Sequence, residues 1–159
     1  MKISIIAVGK LKEKFYKDAI HEYSKRLSKY CTFEIFEVMD EKEPVNSSDA
    51  LIEICKEKEA VRILKQIHPS AYLITMEILG EDVTSLKLAD KIKQLQIDGT
   101  SNIQFVIGGS FGLHASVIEK ANMHLSFSKL TFPHQLMRVI LSEQIYRAFR
   151  IINKEPYHK

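Results

Sequence analysis

The chain opens on Ile3-Ser4-Ile5-Ile6-Ala7-Val8, an almost unbroken apolar run of the kind a strand buried on both faces requires. From Leu11 to Tyr30 the pattern changes. Apolar residues at 11, 15, 19, 23, 27 and 30 step by three or four, which predicts a helix. Thr32 to Val38 is rich in β-formers and leads into an acidic loop, Asp40-Glu41-Lys42-Glu43-Pro44. Asn46-Ser47-Ser48-Asp49 supplies helix caps, and the helix that follows should run to about Ile67, stopping at His68-Pro69. Ala71 to Met76 predicts a third strand, with Gly80 in the loop after it. Ser85 can cap a helix through Ile97 that Asp98-Gly99 ends. Ile103 to Ile107 predicts a fourth strand. A short helix near His114 to Ala121 precedes a fifth strand, Met123 to Phe127. A long helix then begins at Pro133, a residue suited to the first helical turn. Five alternations of strand and helix predict an α/β fold, a mainly parallel sheet flanked by helices in one domain over residues 1–159.

The last helix carries two conflicting faces. At about 100° per residue, Met137, Ile140, Leu141, Ala148, Ile151 and Ile152 form one apolar stripe. The polar side holds Gln135, Arg138 and Ser142 in the first half. In the second half it rotates to Glu143, Arg147 and Arg150, while Ile145 and Phe149 take over the earlier polar sector. Such a helix packs against two surfaces, its own sheet and a second body, and a second copy of the chain is the economical second body. The expectation is a homodimer.

Composition adds little except in its distribution. Hydrophobic content of 45% and charged content of 27% are those of an average soluble domain, and no apolar run is long enough to span a bilayer. The amino-terminal apolar stretch is broken by Lys10, Lys12 and Lys14, so it reads as a strand rather than a signal. Cys31 and Cys55 make no ligand spacing, which suits free thiols in the cytoplasm. The net charge is only +3, yet six Lys and Arg between 129 and 159 face Glu143 and Glu155 alone, so this segment carries more positive charge than the whole chain. A basic segment of this kind points to an anionic partner such as nucleic acid. Cations matching a helix dipole are the plainer account of Arg150 and Lys154, though not of Lys129 or Arg138.

Gly108-Gly109-Ser110-Phe111-Gly112 follows the fourth strand, at the end where open α/β sheets bind ligands. Glycines there let backbone N–H groups approach a ligand, although a tight turn needs them equally. A dinucleotide fingerprint normally follows the first strand, with an acid about 20 residues on, and positions 129–134 hold no carboxylate. A phosphate loop fails because Leu11 follows Gly9-Lys10 and Ser4 stands where its first glycine belongs. The turn also spells G-x-S-x-G. A hydrolase with Ser110, Glu119 or Glu143, and His158 therefore stays open. The six histidines form no metal-ligand pair, and no metal is expected.

Taken in order, Ala7 to Lys12, Gly108 to Leu113, Leu125 to Gln135, Arg138, Glu143 to Ala148 and Pro156 to Lys159 resemble the SPOUT methyltransferases, specifically the RlmH (ribosomal large subunit methyltransferase H) family, over nearly the full length. The resemblance implies S-adenosylmethionine as methyl donor, N3 of a pseudouridine in 23S ribosomal RNA of assembled ribosomes as acceptor, a homodimer and a C-terminal trefoil knot. It places the cofactor on loops after strands three, four and five: Met76, Gly108, Gly109, Phe127, Ser128, Lys129, Leu130, Thr131 and Phe132. On the substrate side it implies Arg138 and Arg147 as positive charge for phosphate or base, and Glu143 to orient an arginine or take a proton. Tyr157 and His158 join them from the tail, His158 being of the residue type suited to proton transfer near neutrality. Plainer alternatives are a surface pair for Glu143 and Arg147, a frayed end for the tail and a helix-start role for His134. A non-catalytic ribosome- or RNA-binding factor and a methyltransferase acting on tRNA are the competing functions. Met76 and Lys154 depart from the family pattern, where leucine and glycine are more usual, so the path of the tail is left open.

Overall fold

The structure is a computed structural model that describes residues 1–44 and 48–158. The expected caps Asn46 and Ser47, and Lys159 at the end of the tail, lie outside the described residues. In chain order the elements are β1 (Lys2–Val8), α1 (Lys14–Leu27), β2 (Thr32–Val38), α2 (Asp49–Leu64), β3 (Tyr72–Asp82), α3 (Ser85–Ile97), β4 (Asn102–Ile107), α4 (Ala115–Ile118), β5 (Met123–Ser126) and α5 (His134–Ile152). All five strands join one sheet in the order β2-β1-β4-β3-β5, and every neighbouring pair is parallel. The central β1 and β4 are the most apolar strands because helices cover both faces. On one face α1, α3 and α5 pack over Ile3, Ile5 and Phe105, with Leu141 and Phe149 pointing inward from α5. On the other α2 and α4 pack over Ile6, Val8 and Val106, with Ile63 pointing inward from α2.

Of the boundaries that differ from the sequence reading, four stand out. The helical period suggested α1 from Leu11, but the helix starts at Lys14. Leu11 instead donates its N–H to Glu37 Oε1 at 2.9 Å, which holds it in a loop. α2 stops at Leu64, short of Ile67, with Ser48 capping its start by accepting from Leu51 N–H. Pro133 is not the first helical residue of α5; it is the extended residue before it, at φ −54° and ψ 132°.

The fourth difference matters most. β3 does not end at Met76; it continues to Asp82. Its pairing with β5 slips between Met76 and Glu81, both of which lie opposite Leu125. Residues 77–80 are therefore looped out, and Gly80 sits against the β5 backbone. A Cβ there would lie 2.7 Å from the Leu125 carbonyl carbon.

The faces of α5 are also resolved. Its buried face is Arg138, Leu141, Ser142, Ile145, Tyr146, Ala148 and Phe149, so the sector read as polar in the first half turns inward. Ser142 meets its need by donating to the Arg138 carbonyl at 2.7 Å. Ile140, expected in the apolar stripe, is only half-buried and belongs to neither core cluster.

Candidate cofactor cavity and tail cluster

The carboxyl ends of β3, β4 and β5 point to the same rim, and there the chain encloses a cavity of about 720 Å³, within the range of small-ligand sites. The glycine turn forms one wall. Gly112 donates its N–H to the Gly109 carbonyl at 3.1 Å and takes φ +80°, a conformation that favours glycine. Gly108 approaches Gly112 so closely that an added Cβ would lie 2.7 Å from backbone carbon, so any side chain would force the turn apart. The segment after β5 forms the opposite wall. Ser126 donates its hydroxyl to the Ile78 and Ser128 carbonyls, and Leu130 N–H donates to Ser128 Oγ at 2.9 Å. These bonds fix a curved loop whose Phe127, Phe132 and Leu130 present apolar surface to the cavity.

Eight of the nine expected cofactor residues line this cavity: Met76, Gly108, Gly109, Phe127, Ser128, Leu130, Thr131 and Phe132. Lys129 does not. Its ammonium reaches back to the Ile78 carbonyl at 3.2 Å and to Asp82 at 3.6 Å, where it ties the looped-out part of β3 to the wall. Ile78 and Leu79, which also line the cavity, were missed because the strand seemed to end before them. His134 and Met137 reach it from the first turn of α5. Burial, with Arg138 nearby, lowers the pKa of His134, so the ring favours its neutral form.

Gly109 plays a different part from Gly108. Its side-chain direction faces Glu59 Oε2 at 3.0 Å and Val8 Cγ1 at 3.1 Å, which is toward the protein interior. A side chain at 109 would therefore collide with this packing. Glu59 itself is buried and accepts from Glu41 N–H at 3.0 Å, and burial raises its pKa.

The expected substrate-side residues fall into two places. Glu143, Arg147, Tyr157 and His158 come together. Glu143 Oε1 accepts from Arg147 Nη2 at 2.6 Å and Nε at 3.0 Å, and from the Tyr157 hydroxyl at 3.2 Å. The Arg147 guanidinium lies 4.7 Å over the Tyr157 ring, and its Nη1 stands 3.4 Å from His158 Nδ1. Burial and the Glu143 charge push the Tyr157 phenol up. The tail is not frayed up to His158. Tyr157 packs edge-on against Tyr146 at 5.1 Å, and Glu155 accepts from Tyr30 and Lys29. Lys154 takes φ 55°, the conformation of a helix-ending glycine, with Glu155 N–H donating to the Arg150 carbonyl and Lys154 N–H to that of Ile151.

Arg138 is elsewhere. It has no exposed surface and cannot meet a phosphate. Nη2 donates to the Val8 and Gly9 carbonyls at 2.7 and 2.9 Å, and Nη1 to Glu37 Oε1 at 3.0 Å. Nor does the turn form a hydrolase site. Ser110 is exposed, among the described residues no hydrogen bond joins it to a histidine, and Glu143 and His158 are both against Arg147.

The cavity and the tail cluster occupy opposite halves of α5. From Met137 to Arg147 the helix rises about 15 Å, so a single chain does not bring them into one site.

Residues 1–158 match the model of a family described as "Predicted SPOUT methyltransferase". A relative from Methanococcus maripaludis, carrying the provisional name ribosomal RNA large subunit methyltransferase H, is 59% identical over 159 residues, covering both chains fully. A Clostridium botulinum protein named ribosomal RNA large subunit methyltransferase H is 57% identical, again over the whole of both. Among solved structures, a probable methylase-family protein from Haemophilus influenzae aligns over 99% of this chain and 70% of its own, with TM-score 0.55 at 15% identity. That likeness is one of fold. The chain belongs to the RlmH family of SPOUT methyltransferases.

Proposed function

We propose that this chain, acting as one catalytic domain in a homodimer in the cytoplasm, transfers a methyl group from S-adenosylmethionine to N3 of a pseudouridine in 23S ribosomal RNA within assembled ribosomes. The names of its full-length relatives support the ribosomal RNA target. The observation that carries the reading is the cavity walled by glycine backbone and by Phe127, Leu130 and Phe132. The fit is chemical as well as spatial. Backbone amides and carbonyls of the turn and the 127–132 loop suit a ribose and an amino-acid carboxylate, and the aromatic and aliphatic walls suit an adenine.

When bound, the cofactor supplies an electrophilic methyl on a sulfonium and needs no metal. The protein's task is to align the acceptor nitrogen and exclude water. The N3–H is weakly acidic. Arg147 would stabilise negative charge that develops as the proton leaves, held in place by Glu143 and the Tyr157 hydroxyl. Glu143 and His158 are the groups able to receive that proton.

A second copy resolves the separation along α5. Leu136, Val139 and Ile140 form a half-exposed apolar stripe outside both core clusters, in line with Glu143 and Arg147. A two-fold contact across this stripe, with the helices antiparallel, would carry the tail cluster of one protomer toward the cavity of its partner.

Mass mapping of ribosomal RNA from cells deleted for this gene should reveal one missing methyl on a pseudouridine. Loss of a methyl from transfer RNA, or none at all, would reject the reading. Calorimetry with S-adenosylmethionine separates an enzyme from a binding factor, since absence of binding at millimolar ligand would leave only the latter. Light scattering should give twice the chain mass at micromolar concentration.

A further inference from the structure

Arg138 raises a question that the methyl-transfer site does not answer. A fully buried guanidinium is costly to desolvate, and this one spends its bonds on two backbone carbonyls and one carboxylate. All three partners bear on the loop between β1 and α1. Arg138 grips the Val8 and Gly9 carbonyls. Glu37, the carboxylate it pairs with, accepts from Leu11 N–H, while Gly9 N–H donates to the Val38 carbonyl at 2.8 Å. Gln135, one turn from Arg138, accepts from Lys12 N–H at 2.8 Å. Gly9 turns the chain at φ +83°. A surface loop is thus pinned from β2 and α5 through its backbone.

Its side chains are left free. Lys10 and Lys12 are exposed, and among the described residues neither forms an ion pair; Lys14 pairs only with Asp18 one helical turn on. Phe15, 61% exposed, stands beside them with its ring centroid 4.3 Å from that of Tyr16. The nearby acids are Glu13, which is exposed, Glu37, already committed to Arg138 and Leu11, and Asp40, whose charge bears on Arg138 and His134. Because β1 lies next to β4, the loop emerges on the same rim as the glycine turn. His134 joins the two, lining the cavity and lying 3.4 Å from where a Cβ on Gly9 would be.

We propose that the loop from Gly9 to Phe15 is a pre-positioned grip for the RNA backbone, with Lys10 and Lys12 contacting phosphates and Phe15 offering a face for an unstacked base. Lysines interleaved with an exposed aromatic suit a single-stranded nucleic acid, because the cations can meet phosphates while the ring stacks on a base. Fixing the backbone beforehand lowers the ordering cost of the complex, and this gives the buried Arg138 its role as a positioning residue for the loop. The inference rests on the reading of the substrate as ribosomal RNA.

The test is a salt titration of binding to ribosomes by the full-length chain, run without S-adenosylmethionine. Each lost phosphate contact should lower the slope of log affinity against log salt by about 0.7–0.9. Lys10→Ala/Lys12→Ala should therefore lower it by about 1.5, raise the KM for ribosomes roughly tenfold, and leave cofactor affinity and the rate at saturating ribosomes unchanged. The charge-matched control Lys65→Ala/Lys120→Ala, on exposed lysines of the α2–α4 face, should leave the slope as it was. Gln135→Ala keeps the charges but releases Lys12 N–H, so it should raise KM with the slope unchanged. An unaltered slope in the lysine variant, or an equal drop in the control, overturns the phosphate contacts; an unaltered KM in Gln135→Ala overturns the pre-positioning. Ribosome binding with the expected slope change but no methyl transfer by the unmutated chain would strike the proposed function and leave the loop standing.

Discussion

Arg138 and Arg147 lie two and a half turns apart on α5 and have opposite surroundings. Arg138 is enclosed, and its hydrogen bonds run to backbone carbonyls and Glu37. Arg147 is partly exposed, and its contacts run to other side chains, Glu143, Tyr157 and His158. The same residue type on the same helix thus serves architecture in one half and, in the proposed function, reactivity in the other. Burial distinguishes them: an arginine without solvent contact cannot present its charge to a substrate, whereas a half-exposed one held by a carboxylate and a ring can. The two halves differ in material as well. The cavity end is built from glycine backbone and apolar walls, the tail end from mutually paired charged groups.

The largest effect should come from Arg138→Met. Losing the guanidinium leaves the Val8 and Gly9 carbonyls and Glu37 without their donor, about 3–5 kcal/mol together, which in a chain of this size lowers Tm by on the order of 10 °C. Differential scanning calorimetry measures it, and an unchanged Tm would erase the contrast between the arginines. Arg147→Ala should keep Tm and S-adenosylmethionine affinity but cut methyl transfer by about 10²–10³-fold, the usual loss on removing one group that stabilises developing charge. Single-turnover kinetics on ribosomes would decide it. A large fall in Tm with this variant would reassign the tail cluster to structure.

Gly108→Ala should be intermediate. Its Cβ would sit 2.7 Å from Gly112 backbone, so the turn must open. We expect a stability loss of about 1–3 kcal/mol with cofactor affinity weakened about tenfold, read by thermal unfolding and calorimetry. Glu59→Gln should have the smallest effect, and of opposite sign. Burial raises the folded carboxyl above its ordinary 4.5, so the folded state binds more protons than the unfolded one between those values. Stability is then lost as pH rises through the folded value. The amide removes that loss, so Tm should rise at pH 7 and not at pH 4. An equal change at both pH values would mean that charge is not the cause.

Most of the sheet was readable because a parallel strand covered on both faces must be apolar along its length, as β1 and β4 are. The end of β3 was not. Glu77, Gly80, Glu81 and Asp82 look like a loop, and only pairing with β5 beyond the slip makes 81 and 82 part of the strand. That hid Ile78 and Leu79 from the cavity. The cavity loop 127–132 was legible through the family resemblance, whereas the departure of Lys129 was not, since its partner Asp82 lies on that unread extension.

The order of strands and helices, the glycine turn and the two-faced character of α5 follow from the sequence alone, because period and glycine content are local properties of the chain. Which face of α5 turns inward, that Arg138 is enclosed while Arg147 is not, and that the cavity and the tail cluster stand apart were decided by tertiary structure. The physical reason is that burial of a long polar side chain depends on partners distant in sequence. The Val8 and Gly9 carbonyls and Glu37 supply them for Arg138, over a hundred residues upstream, and no periodicity within a helix encodes that meeting.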